Sequence, residues 1–414
     1  LSAIDAVNGR AAGERLAALD VLRGVAVLGI LAVNIAGFAG PRLATETPAW
    51  NGPAPWWDEA AFAFVFLVFE GKMRALFSIL FGASMLLFIE AAERRGKDGD
   101  LLQLRRLGWL LGFGYLHYLL LWWGDILFDY AVAGFLALLL RRLSVRGLLI
   151  VAAVVFLGWH GWGMADGWAG VLAEEHVRLG VAGAGEQALV QAQAAADLAR
   201  MRGDVGNAGL GFGAAVAERW AREPAWPLTV TLYTLGETLP LMLLGMALLR
   251  GGFFAGTWPR RRLRAMAWGG IGLGGALTAG LLALVWPRHF PPMAMSQVLA
   301  YWGAVPHLLM ALGYAAALAL AMPGLLAGRL GRRLAAAGRM AFTNYLATSA
   351  AMTFVFCGWG LAWFGRVSPA LQLALVGGWW LVLLGWSAPW LARFRQGPLE
   401  WMWRSLTEWR IMPR

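Results

Sequence analysis

A chain of 414 residues with one cysteine, Cys357, builds neither a disulfide framework nor a cysteine metal site. Histidine is scarce as well. His117, His160, His176, His289 and His307 are the whole set, and no two stand at the spacing of a helix-borne metal pair, so no metal is expected. Charged residues fill 14% of positions, where a soluble domain carries about 25%; a soluble body is excluded. No glycine-rich loop joins a strand pattern to a helix, and no Walker-type loop is present, which excludes the nucleotide-binding folds built on them. The alternating segments of a membrane β-barrel, about ten residues each, are missing too: Val132–Leu140 and Gly269–Val285 are apolar on every side.

What the chain has instead is apolar length. Hydrophobic residues make up 59% of it, and a helix needs about 20 of them in succession to cross a bilayer. Such stretches fall near 18–39, 73–91, 107–123, 126–140, 147–164, 227–249, 265–286, 297–321, 340–362 and 370–392. The expected fold is all-α, a polytopic integral membrane helical bundle of about ten transmembrane helices in a single membrane domain over residues 1–414. The first stretch, Val21–Ala39, outruns the apolar core of a secretory signal, about 7–15 residues, and reads as a retained helix. Trp56, Trp57, Trp122, Trp123 and Trp286 stand near expected span ends, where amphipathic rings prefer the headgroup level.

The net charge of +11 is carried by short basic clusters between the apolar stretches, which argues against nucleic acid as a partner and for a positive-inside bias. The clusters are Arg94 to Arg106, Arg141 to Arg146, Arg250 to Arg264 and Arg329 to Arg339, each in an alternate connection. Arg10 and Arg15 at the start and Arg393 to Arg410 in the tail fall on the same side. The expectation is N-in/C-in in a bacterial cytoplasmic (inner) membrane. The apolar run Phe62–Phe69 fits only if residues 57–70 form an interfacial or partly inserted helix on the external side. Glu70, Lys72 and Arg74 then stand at the external mouth of the second span.

Residues 165–224 form the one sizeable extramembrane piece, an external amphipathic helical insertion. Its helix over 170–202 is expected to break at Gly203–Gly213 before a short helix to Arg222, giving a surface pair or a lid. Residues 394–414, with Trp401, Trp403 and Trp409 among arginines, read as a cytoplasmic interfacial tail helix.

Ionisable groups inside spans are costly unless paired or hydrated, so each is a candidate for function. Asp20 and Arg23 share a helix face and suit a capping ion pair or an anionic cytosolic ligand. Asn34 lies in the outer half of the same helix. His117 and Asp125, eight apart across a turn, can form an oriented general base. Glu237 stands mid-span near Pro240, and Thr343 and Asn344 add polar groups to the ninth span.

These residues carry a resemblance. Leu19-Asp20-Val21-Leu22-Arg23-Gly24 with Gly29 to Asn34, Glu70-Gly71-Lys72 with Leu76 to Gly82, and His117 with Gly124-Asp125-Ile126-Leu127 resemble the YeiB-like family of bacterial membrane proteins. Pro240 to Met246, Gly338 to Tyr345 and Gly397 to Trp401 continue the match in order. More distantly, the first helix is similar to that of membrane acyltransferases, which move an acyl group from cytosolic coenzyme A to an acceptor across the membrane. Where the bacterial sugar O-acyltransferases have a histidine eleven residues after the arginine, this chain has Asn34. Trp50–Asp58, where the lysosomal type has its histidine, has none, so His117 is expected to substitute.

The resemblance implies a membrane acyltransferase using acyl-CoA as donor. His117 and Asp125 would be catalytic, and Asp20, Arg23, Asn34, Glu70, Lys72, Glu237 and Asn344 would bind donor or acceptor. The alternative is a secondary transporter of a small or lipid-like solute, with Glu237 and His117 as proton carriers. Either way the partners are membrane lipids and a small-molecule substrate, and glycine-rich span faces are compatible with a homodimer.

Overall fold

The computed structural model describes residues 3–413, with side chains from residue 17 onward, so Arg10 and Arg15 lie outside the described side chains. It is helical, with no strand among the described residues. In chain order the helices are α1 Ala3–Ala39, α2 Trp56–Val68, α3 Lys72–Glu93, α4 Gly99–Leu120, α5 Leu127–Leu140 and α6 Val145–Leu179. Then come α7 Ala184–Ala208, α8 Phe212–Arg222, α9 Trp226–Arg250, α10 Arg260–Val285 and α11 Pro292–Gln297. The last five are α12 Ala304–Ala327, α13 Arg329–Arg339, α14 Ala341–Phe356, α15 Pro369–Arg393 and α16 Pro398–Glu408.

Every apolar stretch expected to span holds a helix. Seven stretches are long and apolar enough to cross a membrane: α1 from Ala17, the α2–α3 pair, α6, α9, α10, α12 and α15. This is a membrane protein. The remaining three expected spans are short or polar: α5 has 14 residues and α14 has 16, while α4 starts among Asp100, Arg105 and Arg106. At about 1.5 Å per residue α5 reaches only about 21 Å, short of the roughly 30 Å hydrocarbon layer.

Helix α2 is packed against the bundle at both ends. Its first turn accepts the Ala370 N–H on Asp58, at the start of α15, and its last turn accepts the Tyr314 hydroxyl on Val68 O, midway along α12. The chain then reverses at Gly71, whose φ of +69° suits glycine and whose absent Cβ would stand 2.0 Å from His307 Nδ1. The turn 69–71 thus sits inside the bundle. Lys72 is fully buried, so the expectation of an external mouth does not hold for it. An apolar run of this length with a charged turn reads alike for a surface and a re-entrant helix.

The basic connections gather at one end. Arg141 binds Asp100, Arg250 donates to Leu143 O and Arg141 O, Arg339 donates to Arg395 O, and Lys97 binds Glu408. At the opposite end, the insertion differs from expectation in two places. α6 runs unbroken to Leu179, because Gly163 and Gly167 let it lie flush on Tyr301 and Gln297. α7 continues through Gly203 to Ala208, and the break comes at 209–211. α7 and α8 fasten to the body through Arg42, which binds Asp204 and, at 2.8 Å, Glu223.

Close helix crossings rest on glycine. Where α3 meets α9, a Cβ on Gly82 would stand 2.0 Å from Met242 O and one on Gly245 1.9 Å from Ile79 O. The same reciprocity joins α1 and α13 through Gly24 and Gly338. These contacts fix how far apart the polar side chains of α3 and α9 stand.

Candidate functional site

The α3–α9 crossing places Arg74 beside Glu237, with 2.6 Å between guanidinium and carboxylate. On α5, Asp129 is buried and accepts the hydroxyls of Thr234 at 3.0 Å and Thr238 at 2.8 Å. Tyr130, next to it, shares a 2.8 Å hydrogen bond with Ser78. Arg74, Glu237, Asp129 and Thr234 form one side of a cavity of about 470 Å³ walled by α1, the α2–α3 turn, the α4–α5 turn, α9 and the segment after α11. Asn34 faces it with no hydrogen bond to any described residue, and Glu70 faces it with one oxygen held by the Gly71 N–H. At the end opposite the basic clusters Glu46 closes the wall and accepts the Ser296 hydroxyl at 2.8 Å. Burial pushes the Glu46 carboxyl up to about 6.

The expected pair forms: His117 Nδ1 and Asp125 Oδ1 are 2.7 Å apart. Asp125 also accepts the Phe128 N–H at the start of α5, so it is anchored on both sides. Asp125 lines the cavity and His117 does not. The imidazole is sealed behind Asp125, against the Tyr345 ring with centroids 5.1 Å apart, and its Nε2 has no hydrogen-bond partner among the described residues. A buried polar atom left unsatisfied costs about 1–3 kcal/mol, which makes this nitrogen conspicuous.

A second cavity, about 150 Å³, opens among the basic residues. Arg23, Ser84, Arg106, Arg339, Glu400 and Trp403 surround its polar part, and Phe77, Phe81, Leu110 and Phe342 continue it inward. Its far wall includes Ile126, Tyr130 and Tyr345, and Ile126 also lines the first cavity. Asp20 does not line it but holds Arg23 at 2.8 Å, while Arg23 also donates to Ser84. A third cavity, about 370 Å³, lies under α7 and α8 and shares the Trp122 and Trp123 wall with the first.

Two expected binding residues are placed elsewhere. Lys72 lines none of the three cavities above; its ammonium donates to Phe66 O at 2.7 Å and closes the end of α2. Asn344 is fully enclosed, donating to Ala337 O and Ser387 and accepting the Trp386 N–H. It locks α13, α14 and α15 together, which spacing alone does not distinguish from a ligand contact. Conversely, Asp129, Arg74, Arg106 and Arg339 are part of the sites without having been expected there. Asp129 stands in an apolar run and was open to the rule for ionisable groups in spans; Arg106 and Arg339 read as loop charge, and Arg74 as part of an external mouth. Among the described residues no three His, Cys, Asp or Glu side chains gather as a metal site.

Comparison with known proteins places the chain in a family. The chain is 30% identical over 411 residues to the protein YeiB of Escherichia coli (strain K12), covering 95% of this chain and 96% of that one. The chain belongs to the YeiB-like family. It is also 30% identical over 407 residues to YxaH of Bacillus subtilis (strain 168), covering 95% and 94% of the two chains. A 39.9 kDa protein from the amylase 3′ region of Bacillus acidopullulyticus is 36% identical over 144 residues, 35% of this chain and 39% of that one. Residues 248–410 match the family model described as "Protein of unknown function (DUF418)". No solved structure matches the chain.

Proposed function

We propose that this YeiB-like protein sits in the bacterial cytoplasmic membrane with its basic end and both termini in the cytosol. There it transfers an acyl group from cytosolic acyl-CoA to an acceptor entering from the other side. The basic clusters carry the orientation, since Lys and Arg favour the cytosolic face. One observation carries the reaction: two chemically different cavities approach from opposite ends and share Ile126, with the His117–Asp125 pair against that partition. A transporter with a single site has no need of a second, basic cavity.

In this reading the thioester carbonyl comes to the partition from the basic side, and an acceptor hydroxyl or amine comes from the central cavity. Asp125 holds a proton on Nδ1, leaving Nε2 to take the acceptor's proton as the new bond forms. The C–S bond then breaks, and the same proton passes to the departing thiolate. This requires that the Tyr345 ring, packed on the imidazole, be displaced to expose Nε2. Asn34, free in the cavity wall, is placed to donate to a developing oxyanion.

A second reading, transport, draws on the Arg74–Glu237 pair beside the re-entrant α2 and on Pro240 inside α9, features that line cavities in transporters. The test is release of free thiol from acetyl- and longer acyl-CoA by proteoliposomes supplied with cell-envelope extract. Release by wild type that His117→Ala abolishes, with its melting temperature unchanged, supports transfer. Equal release by His117→Ala overturns the assignment of the base. No release with any thioester, together with pH-driven solute uptake lost in Glu237→Gln, favours transport.

A further inference from the structure

We infer that the cavity at the basic end is a phosphate-binding site, clamped by Arg23, Arg106 and Arg339 and completed by Trp403 of the tail helix. The argument is a count of charges and their partners. Arg23 is shared between Asp20 and Ser84, and Arg339 gives one N–H to Arg395 O. The Arg106 guanidinium has no carboxylate and no hydrogen bond among the described residues. It is gripped only by rings, with Phe88 at 4.8 Å and Trp403 at 4.3 Å.

Glu400 is the one carboxylate in the cavity wall, and it is engaged elsewhere. It accepts the N–H groups of Phe342 and Thr343 and the Thr343 hydroxyl, capping α14. Burial also pushes its carboxyl up, which weakens it as a counter-charge. Three guanidiniums therefore converge with Asp20 as their one committed anion among the described residues. A carboxylate ligand brings one charge and two oxygens. A phosphate brings up to two charges and three oxygens and matches the guanidinium fork.

The inner part of the cavity is apolar, with Phe77, Phe81 and Leu110, so the ligand carries an apolar arm beside its phosphate. At about 150 Å³ the space holds a phosphate and the start of that arm, and the rest projects past the exposed Arg339. A phosphorylated soluble carrier and an anionic lipid headgroup share this chemistry. The site deepens the donor side of the function proposed above, but a phosphate clamp here does not require acyl transfer.

The tail also gains a role. α16 was expected as a membrane anchor, yet its Trp403 ring and Glu400 build the cavity wall, and the Trp403 indole N–H donates to Arg106 O at 2.9 Å. The site thus requires the tail helix in place.

The test is binding to full-length protein in nanodiscs of neutral phosphatidylcholine. Coenzyme A is the soluble probe, read by calorimetry. Retained phosphatidylglycerol after addition to the discs is the lipid probe, read by native mass spectrometry. Losing one charge-assisted contact is expected to weaken binding about tenfold or more. Arg106→Met and Arg339→Gln are each expected to show that loss, while Arg106→Lys retains part of the affinity. Unliganded melting temperatures guard against misfolding, and the exposed Arg339 is the safer variant. Coenzyme A binding that these variants lose identifies a soluble ligand, and phosphatidylglycerol retention that they lose identifies a lipid. Either supports the clamp. No binding of either probe, or binding unchanged in both variants, overturns it. Failure of the clamp with thiol release intact leaves the transfer reaction standing, and the converse leaves the clamp standing.

Discussion

Adding one methyl group at Gly245 is expected to destabilise the protein by about 1–3 kcal/mol, the range of overpacked cores. The new Cβ would lie 1.9 Å from Ile79 O, about 1.5 Å short of an ordinary contact. The obstacle is backbone, not a flexible side chain, so the α3–α9 crossing itself has to open. Opening by 0.5–1 Å forfeits about a quarter to a half of each dispersion contact along the crossing. Arg74 and Glu237 stand on these same two helices, so their 2.6 Å contact lengthens as well. The internal control is Gly272→Ala on α10, where a Cβ meets nothing within 4 Å. There the helix gains about 0.5–1 kcal/mol from replacing glycine. Denaturant titration of both variants in mixed micelles is the assay. Equal stability of the two would refute the claim that glycine at the crossing is there for backbone contact.

Two further outcomes follow from the central cavity. Arg74→Met leaves Glu237 without its cation. Breaking a buried pair costs about 3–5 kcal/mol; with Arg74 34% exposed the expected loss is nearer about 2 kcal/mol. Adding Glu237→Met should recover most of it, and simple additivity in the same titration would show that the two charges do not depend on each other. Glu46 has a raised carboxyl, so its contribution to stability is full below about 4.5 and is lost as pH rises through about 6. Relative to Glu46→Gln, wild type should lose up to about 2 kcal/mol over that window; parallel stability curves would disprove the effect of burial.

The helical class was legible because apolar runs without alternation leave no other solution in a membrane. The His117–Asp125 pair was legible from spacing across a short turn. The depth of α2 was not, since hydropathy gives the length of a helix and not whether it turns back. Lys72 and Asn344 show the matching difficulty for single residues: a polar group in an apolar run signals a satisfied partner, without saying whether the partner is backbone or ligand. Arg106 and Arg339 show the reverse. Read as loop charge, they acquire a shared cavity only when α16 folds back on α4 and places Trp403 against Arg106.

That distinction between backbone demand and surplus polarity can be applied to the whole α2–α3 turn. A helix ending inside the bundle exposes its last carbonyls where no water replaces the missing turn, at several kcal/mol each. Lys72 answers Phe66 O and the Tyr314 hydroxyl answers Val68 O, so both polar side chains are explained by the end of α2 alone. Met73 N–H reaches Phe69 O, and Gly71 N–H is taken by Glu70. Once these debts are settled, one Glu70 oxygen, the Asn34 amide and the Arg74–Glu237–Asp129 group remain. No backbone atom requires that Glu237 and Asp129 be ionisable: a buried pair is commonly replaceable by apolar residues at no loss of stability. Their common feature is that each faces the same 470 Å³ cavity. The polarity that the fold does not need is the polarity that lines this cavity.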